Sequence, residues 1–407
     1  MLFNLKKNKA LTIKLVAIAK DEAAYLPEWI FHHLQSGFDS IDIYVNHTSD
    51  NTWEIAQCLQ RETRVRFIDG DEFFYEGNKN PQNTVYQHAY KTIDNKKFDY
   101  LMFLDIDEFW FNKGDFVSVK DRLAQLNYPS VLCLNWFNKH NESDFSDIYD
   151  TQQHGVTSAW VKTIFSTQVK VKHIEIHNVK TAQKSYTLGD GSIWNWEQSQ
   201  GPVGYLPEPL QSCNVKETFI LHRMNRSQME YVSLLSRGAA RQNQKGMSRF
   251  KTNRSGYCFT KTSQQTIVYK DQQCLEYKHA LAAFVSEYNL TVPLQDARTF
   301  IRKRFHASLT NIKTSPTDNL ALIERITKNV TLPEVLDAKN VFMQAVVKEK
   351  KLDIANTLRE LAISMEKIDL KTAQDLMAKA LEYKPSGPMI KRKLQEYRNR
   401  LSDERNT

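Results

Sequence analysis

The stretch Tyr100-Leu-Met-Phe-Leu-Asp105-Ile-Asp107-Glu108-Phe-Trp110 decides the interpretation of this chain. Its first five residues are all apolar or aromatic, which predicts a short, buried β-strand over 100–104. Two carboxylates follow, at positions 105 and 107, and side chains two residues apart in an extended segment point to the same side. The stretch therefore predicts a buried strand that ends at a polar site.

Strand and helix patterns alternate along the chain ahead of this stretch. The predicted elements are strands at 12–19, 41–45 and 65–68 and helices at 23–34, 52–60 and 84–92. Strands joined by helices over such distances form βαβ units, and these give an α/β fold with a mostly parallel sheet covered on both faces. Ligands of open α/β sheets bind at the carboxyl ends of the strands, where Asp105 and Asp107 stand.

The pattern changes after residue 130. Short strands are predicted at 131–134 and 160–165, and an extended loop at 185–210, which holds four Gly and three Pro. From about residue 279 the pattern is helical, and residues 357–397 resemble one tetratricopeptide-type helical hairpin, although a plain helical bundle explains them equally well. We expect a catalytic domain over 1–245, a partly helical connecting region over 246–330 and an all-α C-terminal region over 331–407.

The composition excludes several classes of protein. The 407 residues include 55 Lys and Arg against 47 Asp and Glu, a formal net charge of +8, and five scattered Cys without a CxxC pair. Neither a disulfide scaffold nor a zinc module is predicted. The basic residues are spread out and match no nucleic-acid-binding module. The surplus of positive charge therefore indicates a basic surface or an anionic substrate. Without a secretion signal or an apolar window of about 20 residues, we expect a cytoplasmic protein, in contact at most with the periphery of the inner membrane.

Asp105 and Asp107 are candidate ligands of a divalent cation, Mn²⁺ or Mg²⁺. Carboxylates are the ligands that such hard cations prefer, and unpaired carboxylates after a strongly apolar strand are unfavourable unless something compensates their charge. The sequence has an internal comparison in Asp69-Gly-Asp71. That pair follows a weaker strand and has the composition of a solvated turn.

Two reaction classes use an Asp-x-Asp of this kind. In glycosyl transfer from a nucleotide sugar, the cation bridges the diphosphate and neutralises the charge of the leaving group. In phosphatases of the haloacid-dehalogenase type, the first Asp is the nucleophile. Those phosphatases carry the motif after the first strand and continue it with Thr or Val, whereas here it follows the fourth predicted strand and continues as Glu108-Phe109. The phosphatase stays an alternative to the transferase.

Further blocks of the N-terminal half carry a family resemblance. They are 17–22 with Tyr25, Pro27, Glu28, Trp29 and His33, then 37–46 with Ser49 and Asp50, then 103–109, and finally 221–223 with Arg237 and Gly238. In order and spacing these blocks, which span about residues 12–240, resemble glycosyltransferases of the GT-A fold, specifically the family 2-like and family 92-like group. The resemblance implies a nucleotide-sugar-dependent transferase.

The resemblance also implies roles for individual residues. Ala17, Lys20 and Glu22 in the first strand-to-helix loop, with Asn46 and Asp50 in the next turn, would line the nucleoside. Helix capping and turn chemistry explain these residues almost as well. Asp105 and Asp107 would hold the cation and His222 would complete its shell. The nearby guanidinium groups of Arg223 and Arg226 are candidates for contacts with the phosphates. His177 competes with His222 for its role.

The general base that an inverting transferase needs has no clear counterpart in the sequence. The candidates are Glu197 and Asp190 in the predicted long loop, and Glu217. Trp160 and Lys162 are weaker candidates for contacts with a sugar, and a half-buried strand explains them equally well.

Together these patterns favour a cation-dependent, inverting glycosyltransferase. It would move a sugar from a nucleotide-sugar donor, foremost a UDP-sugar, to a glycan or glycolipid acceptor in the synthesis of bacterial surface polysaccharide or lipopolysaccharide. A non-catalytic scaffold that acts through its C-terminal helices is the second alternative. In either case those helices are candidates for contact with a membrane surface or a second copy of the chain.

Overall fold

A computed structural model describes residues 11–75, 77–183, 185–195, 204–206, 215–237, 250–258 and 264–406. The chain divides into two compact units, Met1–Ser308 and Leu309–Thr407. The first unit contains all the described strands. They are β1 Ile13–Ala19, β2 Ser40–Val45, β3 Val65–Asp69, β4 Tyr100–Phe103, β5 Glu108–Asn112, β6 Val131–Lys139, β7 Gln152–Ser166, β8 Val171–Ile174, β9 Val179–Thr181, β10 Ser185–Leu188, β11 Ile193–Asn195, β12 Thr218–His222 and β13 Gln265–Val268.

The N-terminal strands form the parallel part of a mixed sheet. Its path runs β11-β10-β6-β7-β4-β1-β2-β3, and the pairs β4–β1, β1–β2 and β2–β3 are all parallel. The predicted α/β fold class is therefore confirmed, and the βαβ pattern placed these four strands correctly. Their carboxyl ends meet at one edge, so that the loops after β1, β2 and β4 lie side by side.

The other half of the sheet is built differently, because β7 runs antiparallel to both β4 and β6. Strand β12 lies parallel to β6 and antiparallel to β5, with His222 opposite Glu108 on one side and Asn138 on the other. Strand β13 pairs with β7, and β8 and β9 form a separate hairpin. This pairing carries the C-terminal end of β12 to the turn that follows β4.

Helices cover both faces of the parallel part. The described helices are α1 Leu26–Gln35, α2 Thr52–Cys58, α3 Pro81–Thr92, α4 Val119–Gln125, α5 Gln228–Leu235, α6 Asp271–Glu287, α7 Thr291–Lys313, α8 Leu320–Ile326, α9 Pro333–Met365, α10 Leu370–Tyr383 and α11 Pro388–Asn406. Helix α1 begins with Pro27 and Glu28 in its first turn, as the sequence favours. On α3, the ring of Tyr86 stacks on Phe103 of β4 at a centroid distance of 4.3 Å.

Three sequence-based expectations are compared with the structure. The extended loop predicted for 185–210 is wrong over its first part, because β10 and β11 pair antiparallel across a turn at Gly191. The helical region begins at Asp271, earlier than 279, and its helix α6 packs on α1 through contacts of Phe31 with Tyr277 and Phe284. The contact-based boundary after Ser308 differs from the predicted boundaries at 245 and 330, and the three-part domain division stays a prediction.

The second unit is all-α, as expected for the C-terminal region. Its helices α9, α10 and α11 share an apolar cluster in which small side chains allow close packing. The fully buried members are Ala362, Ala373, Met377, Ala380, Ile390, Leu394 and Tyr397. Glu366 at the end of α9 accepts hydrogen bonds from Lys393 and Tyr397 of α11. Among the residues described, none of the helices is both long enough and apolar enough to cross a bilayer.

Candidate functional site

The turn after β4 carries both carboxylates of the Asp-x-Asp. It is closed by Glu108, whose backbone N–H donates to the Asp105 carbonyl at 3.0 Å and whose Oε2 accepts from the Asp105 backbone N–H at 2.8 Å. From α1, Trp29 Nε1 lies 3.1 Å from the Asp105 carbonyl oxygen and 2.9 Å from that of Glu108. The buried indole thus fixes the turn by donating to both of these carbonyls.

Replacing Trp29 by Phe tests this anchor. We expect Trp29→Phe to destabilise the first unit by about 1–3 kcal/mol, because two buried carbonyls lose their shared donor. The measurement is urea unfolding followed by tryptophan fluorescence. Phe31→Leu on the same helix, which removes no hydrogen bond, is the control, and an effect of Trp29→Phe no larger than the control's would contradict the anchoring role.

Asp105 is held by three protein side chains. Its Oδ1 accepts from Gln82 Nε2 at 2.8 Å and from the Tyr86 hydroxyl at 3.4 Å, and its Oδ2 lies 3.1 Å from Lys162 Nζ. Lys162, on β7, is only 1% exposed and also lies 3.0 Å from Glu108 Oε2. Burial alone would lower the pKa of Lys162, but the carboxylates of Asp105 and Glu108 outweigh burial and raise it. Lys162 is therefore a permanent cation beneath the turn.

Asp107 and His222 face each other across the site. The sheet register brings them together, since His222 pairs with Glu108 and the Arg223 backbone N–H donates to the Asp107 carbonyl at 2.7 Å. Burial alone would raise the pKa of Asp107, but His222, Arg226 and Arg254 hold it far below its ordinary value, so the carboxylate is ionised. His222 Nδ1 lies 2.9 Å from the Asn138 amide oxygen, which can only accept, so Nδ1 carries a proton and Nε2 is the ring nitrogen that faces Asp107.

This pair fits two positions of a divalent-cation site. His222 Nε2 and Asp107 Oδ2 are 3.6 Å apart, too far for a hydrogen bond. Two ligands that each stand about 2.1 Å from one octahedral ion are about 3 Å apart, so a small rotamer adjustment suffices. The Nδ1 bond to Asn138 is also the support that metal-binding histidines have. The Asp105 oxygens face Lys162 and Gln82, and its role as a third ligand stays a prediction. Within the described residues no three His, Cys, Asp or Glu converge on one point.

The two carboxylates open onto a cleft of about 750 Å³ at the carboxyl ends of the strands. Its wall includes the loops after β1, β2 and β4, the start of α3, the ends of β6 and β12, and the segment around residue 251. Among its described lining residues, six cationic side chains face three carboxylates. The cations are Lys20, Lys79, Arg226, Arg237, Lys251 and Arg254, and the acids are Glu22, Asp105 and Asp107.

The cations of the cleft are crowded. Glu22 pairs with both Arg226 and Arg237, and the Arg226 guanidinium stacks 3.4 Å from the centroid of the Tyr25 ring. Burial lowers the pKa of Lys251 and of Arg254, and in both cases the neighbouring Arg237 lowers it further. Arg254 Nε has no hydrogen-bond partner within the described parts of the chain. An anion bound here would relieve the repulsion and supply the missing acceptor.

The structure brings together six of the residues predicted for binding: Lys20, Glu22, Asn46, Asp105, Asp107 and His222 all line the cleft. Ala17 and Asp50 are not brought there. Ala17 is fully buried inside β1, and the Asp50 carboxylate accepts from the backbone N–H groups of Ala23 and Thr52, which ties two loops together. Asp50 therefore supports the site from outside.

Arg223 is also held away from the cleft lining. Its guanidinium is buried against Glu142, at 2.6 Å, and Glu28, at 3.4 Å, and it donates to the Ser146 carbonyl at 2.7 Å. All of its donors are therefore directed toward the opposite side of the strand end. Arg226, three residues later, is the guanidinium that reaches the cleft.

Two of the three candidate bases, Asp190 and Glu217, are not brought to the Asp107–His222 pair. Glu197 lies outside the described residues. Asp190, in the turn between β10 and β11, forms an ion pair with Lys216 at 2.6 Å; although burial alone would raise its pKa, this lysine and Ser192 lower it to about 2. Glu217 is exposed at the start of β12, and five residues at about 3.3 Å each place it roughly 16 Å from His222 at the other end.

Among the cationic residues of the site, Lys162 was a predicted candidate for contacts with a sugar, whereas Lys251 and Arg254 were not predicted. Lys162 had a sequence signal, since a lone cation inside an apolar strand is unfavourable unless it is paired. Lys251 and Arg254 had none, because they follow a segment with no periodic pattern and reach the cleft only through tertiary folding. The comparison pair Asp69-Gly-Asp71 is not part of the lining, and Asp71 Oδ1 accepts from the His47 backbone N–H at 2.6 Å.

The sequence matches no family model, and no curated protein is significantly similar to it. Among solved structures, HddC from Yersinia pseudotuberculosis aligns at 13% identity over 38% of this chain and 77% of that one, with a TM-score of 0.24. S. aureus TarS 1–349 in complex with UDP aligns at 14% identity over 92% of this chain and 89% of that one, with a TM-score of 0.22. These TM-scores are too low to establish a shared fold, so the residues of the cleft, and not these alignments, carry the functional proposal.

Proposed function

We propose that this chain is a glycosyltransferase that binds a nucleoside diphosphate sugar in the cleft at the carboxyl ends of β1, β2 and β4. The observation that carries the proposal is that an ionised Asp107, faced by His222 Nε2, shares one cleft with crowded cations. A diphosphate is the ligand that matches both parts, because it takes charge-assisted hydrogen bonds from guanidinium groups and shares a divalent cation with protein carboxylates.

The cleft offers distinct positions for the parts of such a donor. Lys20 and Asn46, after β1 and β2, would receive the nucleoside, for which uridine is proposed. Asn46 is 1% exposed, and its Nδ2 lacks a hydrogen-bond partner within the described segments, so a polar atom of the base would satisfy it. Arg254 and Lys251 would bind the phosphates. The sugar would then lie beyond Asp107, toward β6 and β12.

Asp107 and His222 would hold Mn²⁺ or Mg²⁺. When bound, the cation supplies Lewis-acid stabilisation of the charge that develops on the leaving diphosphate. The protein's own contribution is orientation and charge. Arg226 and Arg237 are fixed by Glu22, and Arg254 is directed into the cleft without a competing acceptor at Nε among the residues described. Such preorganised cations stabilise a departing diphosphate without rearranging during the reaction.

The remaining parts of the proposal come from the family resemblance alone. They are an inverting outcome, a glycan or glycolipid acceptor of the bacterial surface, and a location in the cytoplasm or at the periphery of the inner membrane. Within the cleft, the carboxylates that we describe are Glu22, Asp105 and Asp107, and each is engaged by cations. No general base is therefore assigned.

The test is a thermal-shift series with UDP, GDP and ADP, each with and without Mn²⁺. A ligand at a hundredfold excess over its dissociation constant stabilises the native state by about 2.7 kcal/mol. We expect one nucleotide to raise the melting temperature, and to raise it further with Mn²⁺. No shift with any nucleoside diphosphate or UDP-sugar would overturn the proposal.

Arg254→Gln should weaken binding of that nucleotide about tenfold, as expected for loss of one charge-assisted hydrogen bond in a buried site. The measurement is isothermal titration calorimetry in the presence of Mn²⁺. Arg359→Gln removes the same charge from the second unit, outside the unit that holds the cleft, and serves as the control. Equal affinities for the two variants would show that Arg254 does not contact the phosphates.

A further inference from the structure

A row of aromatic rings continues the cleft beyond His222. The Trp136 ring lies 4.1 Å from the His222 ring and 5.0 Å from that of His177, and His177 lies 4.7 Å from Trp160. Trp160 in turn contacts Tyr205 edge to face at 5.5 Å. We call Trp136, His177, Trp160 and Tyr205 the aromatic ledge. Trp136 and His177 line the cleft itself, so the ledge is continuous with it.

The ledge is held in place by backbone pairing. Residues 204–206 run along β7, where the Val161 N–H donates to the Gly204 carbonyl at 2.9 Å and the Leu206 N–H to the Ala159 carbonyl at 2.8 Å. A Cβ on Gly204 would stand 2.9 Å from the His177 Cβ and 3.0 Å from the Trp160 ring. A side chain at position 204 would therefore clash with His177 and Trp160. The close approach that Gly204 allows places Tyr205 beside Trp160.

The outer half of the ledge is unusually exposed for aromatic side chains. Trp160 is 42% exposed and Tyr205 is 47% exposed. On the inner half, Trp136 Nε1 and His177 Nδ1 are buried and have no hydrogen-bond partner among the residues described. Burial, with help from Lys162 and His222, lowers the pKa of His177 to about 3, so its ring is neutral at physiological pH. The ledge thus combines apolar ring faces with uncharged polar atoms.

We propose that the aromatic ledge binds a pyranose ring of the acceptor. A pyranose presents C–H bonds on its faces and hydroxyl groups around its edge, and so matches ring faces flanked by neutral polar atoms. An acyl chain would leave Trp136 Nε1 and His177 Nδ1 unsatisfied. A nucleobase is expected at the opposite end of the cleft, near Asn46. That the bound carbohydrate is the acceptor rests on the proposed function. That the ledge binds a carbohydrate does not.

The position of the ledge in the sheet indicates from which side an acceptor would approach the donor sugar. Across the sheet, the strands follow one another in the order β2, β1, β4, β7 and β6. Asn46, Lys20 and Asp105 follow the first three, and the ledge residues Trp160 and Trp136 lie within the last two. A donor that spans from β2 to β4 would present its sugar toward β6 and β7. An acceptor ring on the ledge would thus approach the donor sugar from the side away from the nucleoside.

The test is saturation-transfer difference NMR with the methyl β-glycosides of glucose, galactose and N-acetylglucosamine, in the presence of UDP and Mn²⁺. We expect at least one glycoside to receive saturation at its ring C–H protons. Trp160→Ala should weaken that binding about tenfold, in line with the contribution of one well-placed aromatic contact with its buried area. Trp53→Ala is the matched control, since Trp53 is 45% exposed and lies on α2.

Two outcomes overturn the proposal: no saturation transfer with any of the three glycosides, or equal affinity for wild type and Trp160→Ala. If Trp160→Ala does not fold by circular dichroism, Trp160→Phe and Tyr205→Ala take its place, with Tyr128→Ala, at 42% exposure, as the tyrosine control. UDP binding in the same samples separates the two proposals. Glycoside binding without UDP binding would support carbohydrate binding at the ledge and contradict the proposed donor site. UDP binding without glycoside binding would support the donor site and contradict carbohydrate binding at the ledge.

Discussion

Asp107→Asn is expected to abolish the Mn²⁺-dependent part of UDP binding and to leave the fold intact. Asparagine has the same size, and the Asp107 backbone carbonyl still accepts from the Arg223 N–H at 2.7 Å. What is lost is the ionised oxygen that faces His222 Nε2 at 3.6 Å. In wild type, UDP at a hundredfold excess over its dissociation constant should stabilise the protein by about 2.7 kcal/mol. In the variant, addition of Mn²⁺ should not increase the stabilisation by UDP.

Two matched variants make this result specific. Asp69→Asn removes the first carboxylate of the comparison pair, which is exposed at the end of β3, and should leave the Mn²⁺ effect unchanged. Asp105→Asn should reduce stability through Lys162 but keep the Mn²⁺ effect, because both Asp105 oxygens are already engaged. If Asp105→Asn removed the Mn²⁺ effect and Asp107→Asn retained it, the assignment of the cation to Asp107 and His222 would be wrong.

Local patterns were sufficient to predict the parallel half of the sheet. The predicted strand at 12–19 is β1 at Ile13–Ala19, and that at 65–68 is β3 at Val65–Asp69. Strands β1, β2 and β3 pair with neighbours that are reached through one helix, so hydrophobic period and turn composition carry that part of the topology, whereas β4 pairs with β1 rather than with β3. The second half pairs strands that are distant in sequence, such as β12 with β5, and no local pattern encodes that register.

The same distinction between local patterns and long-range pairing explains which site residues could be predicted. Asp105 and Asp107 were visible because they follow a strand directly, whereas Lys251 and Arg254 reach the cleft from a segment with no periodicity. The choice between Arg223 and Arg226 depended on which way the chain turns after β12. Arg226 has a positive φ of 55°, and this left-handed residue redirects the chain beyond the strand. A sequence that places Arg at both positions gives no sign of that turn.

Lys162→Met is expected to destabilise the first unit by about 3–5 kcal/mol, the penalty for leaving a buried carboxylate without its cation. Lys162 Nζ lies 3.0 Å from Glu108 Oε2 and 3.1 Å from Asp105 Oδ2, and Glu108 is fully buried. The measurement is urea unfolding followed by tryptophan fluorescence, which reports on the first unit because all seven tryptophans precede residue 200. Lys270→Met is the control: its ion pair with Asp115 is exposed and should contribute less than about 1 kcal/mol.

A second change and a pH series separate charge from packing. In Glu108→Gln/Lys162→Met both charges of the pair are gone, so this double variant should be more stable than Lys162→Met alone. Burial raises the pKa of Glu108, and removal of Lys162 would raise it further. The folded state of Lys162→Met then keeps this proton to a higher pH than folded wild type does, whereas both unfolded chains release it above the ordinary pKa of about 4.3. Its stability relative to wild type should therefore be greater at pH 5 than at pH 8. A deficit that is the same at both pH values, and that Glu108→Gln does not reduce, would mean that Lys162 acts by filling space rather than by neutralising the carboxylates at the end of β4.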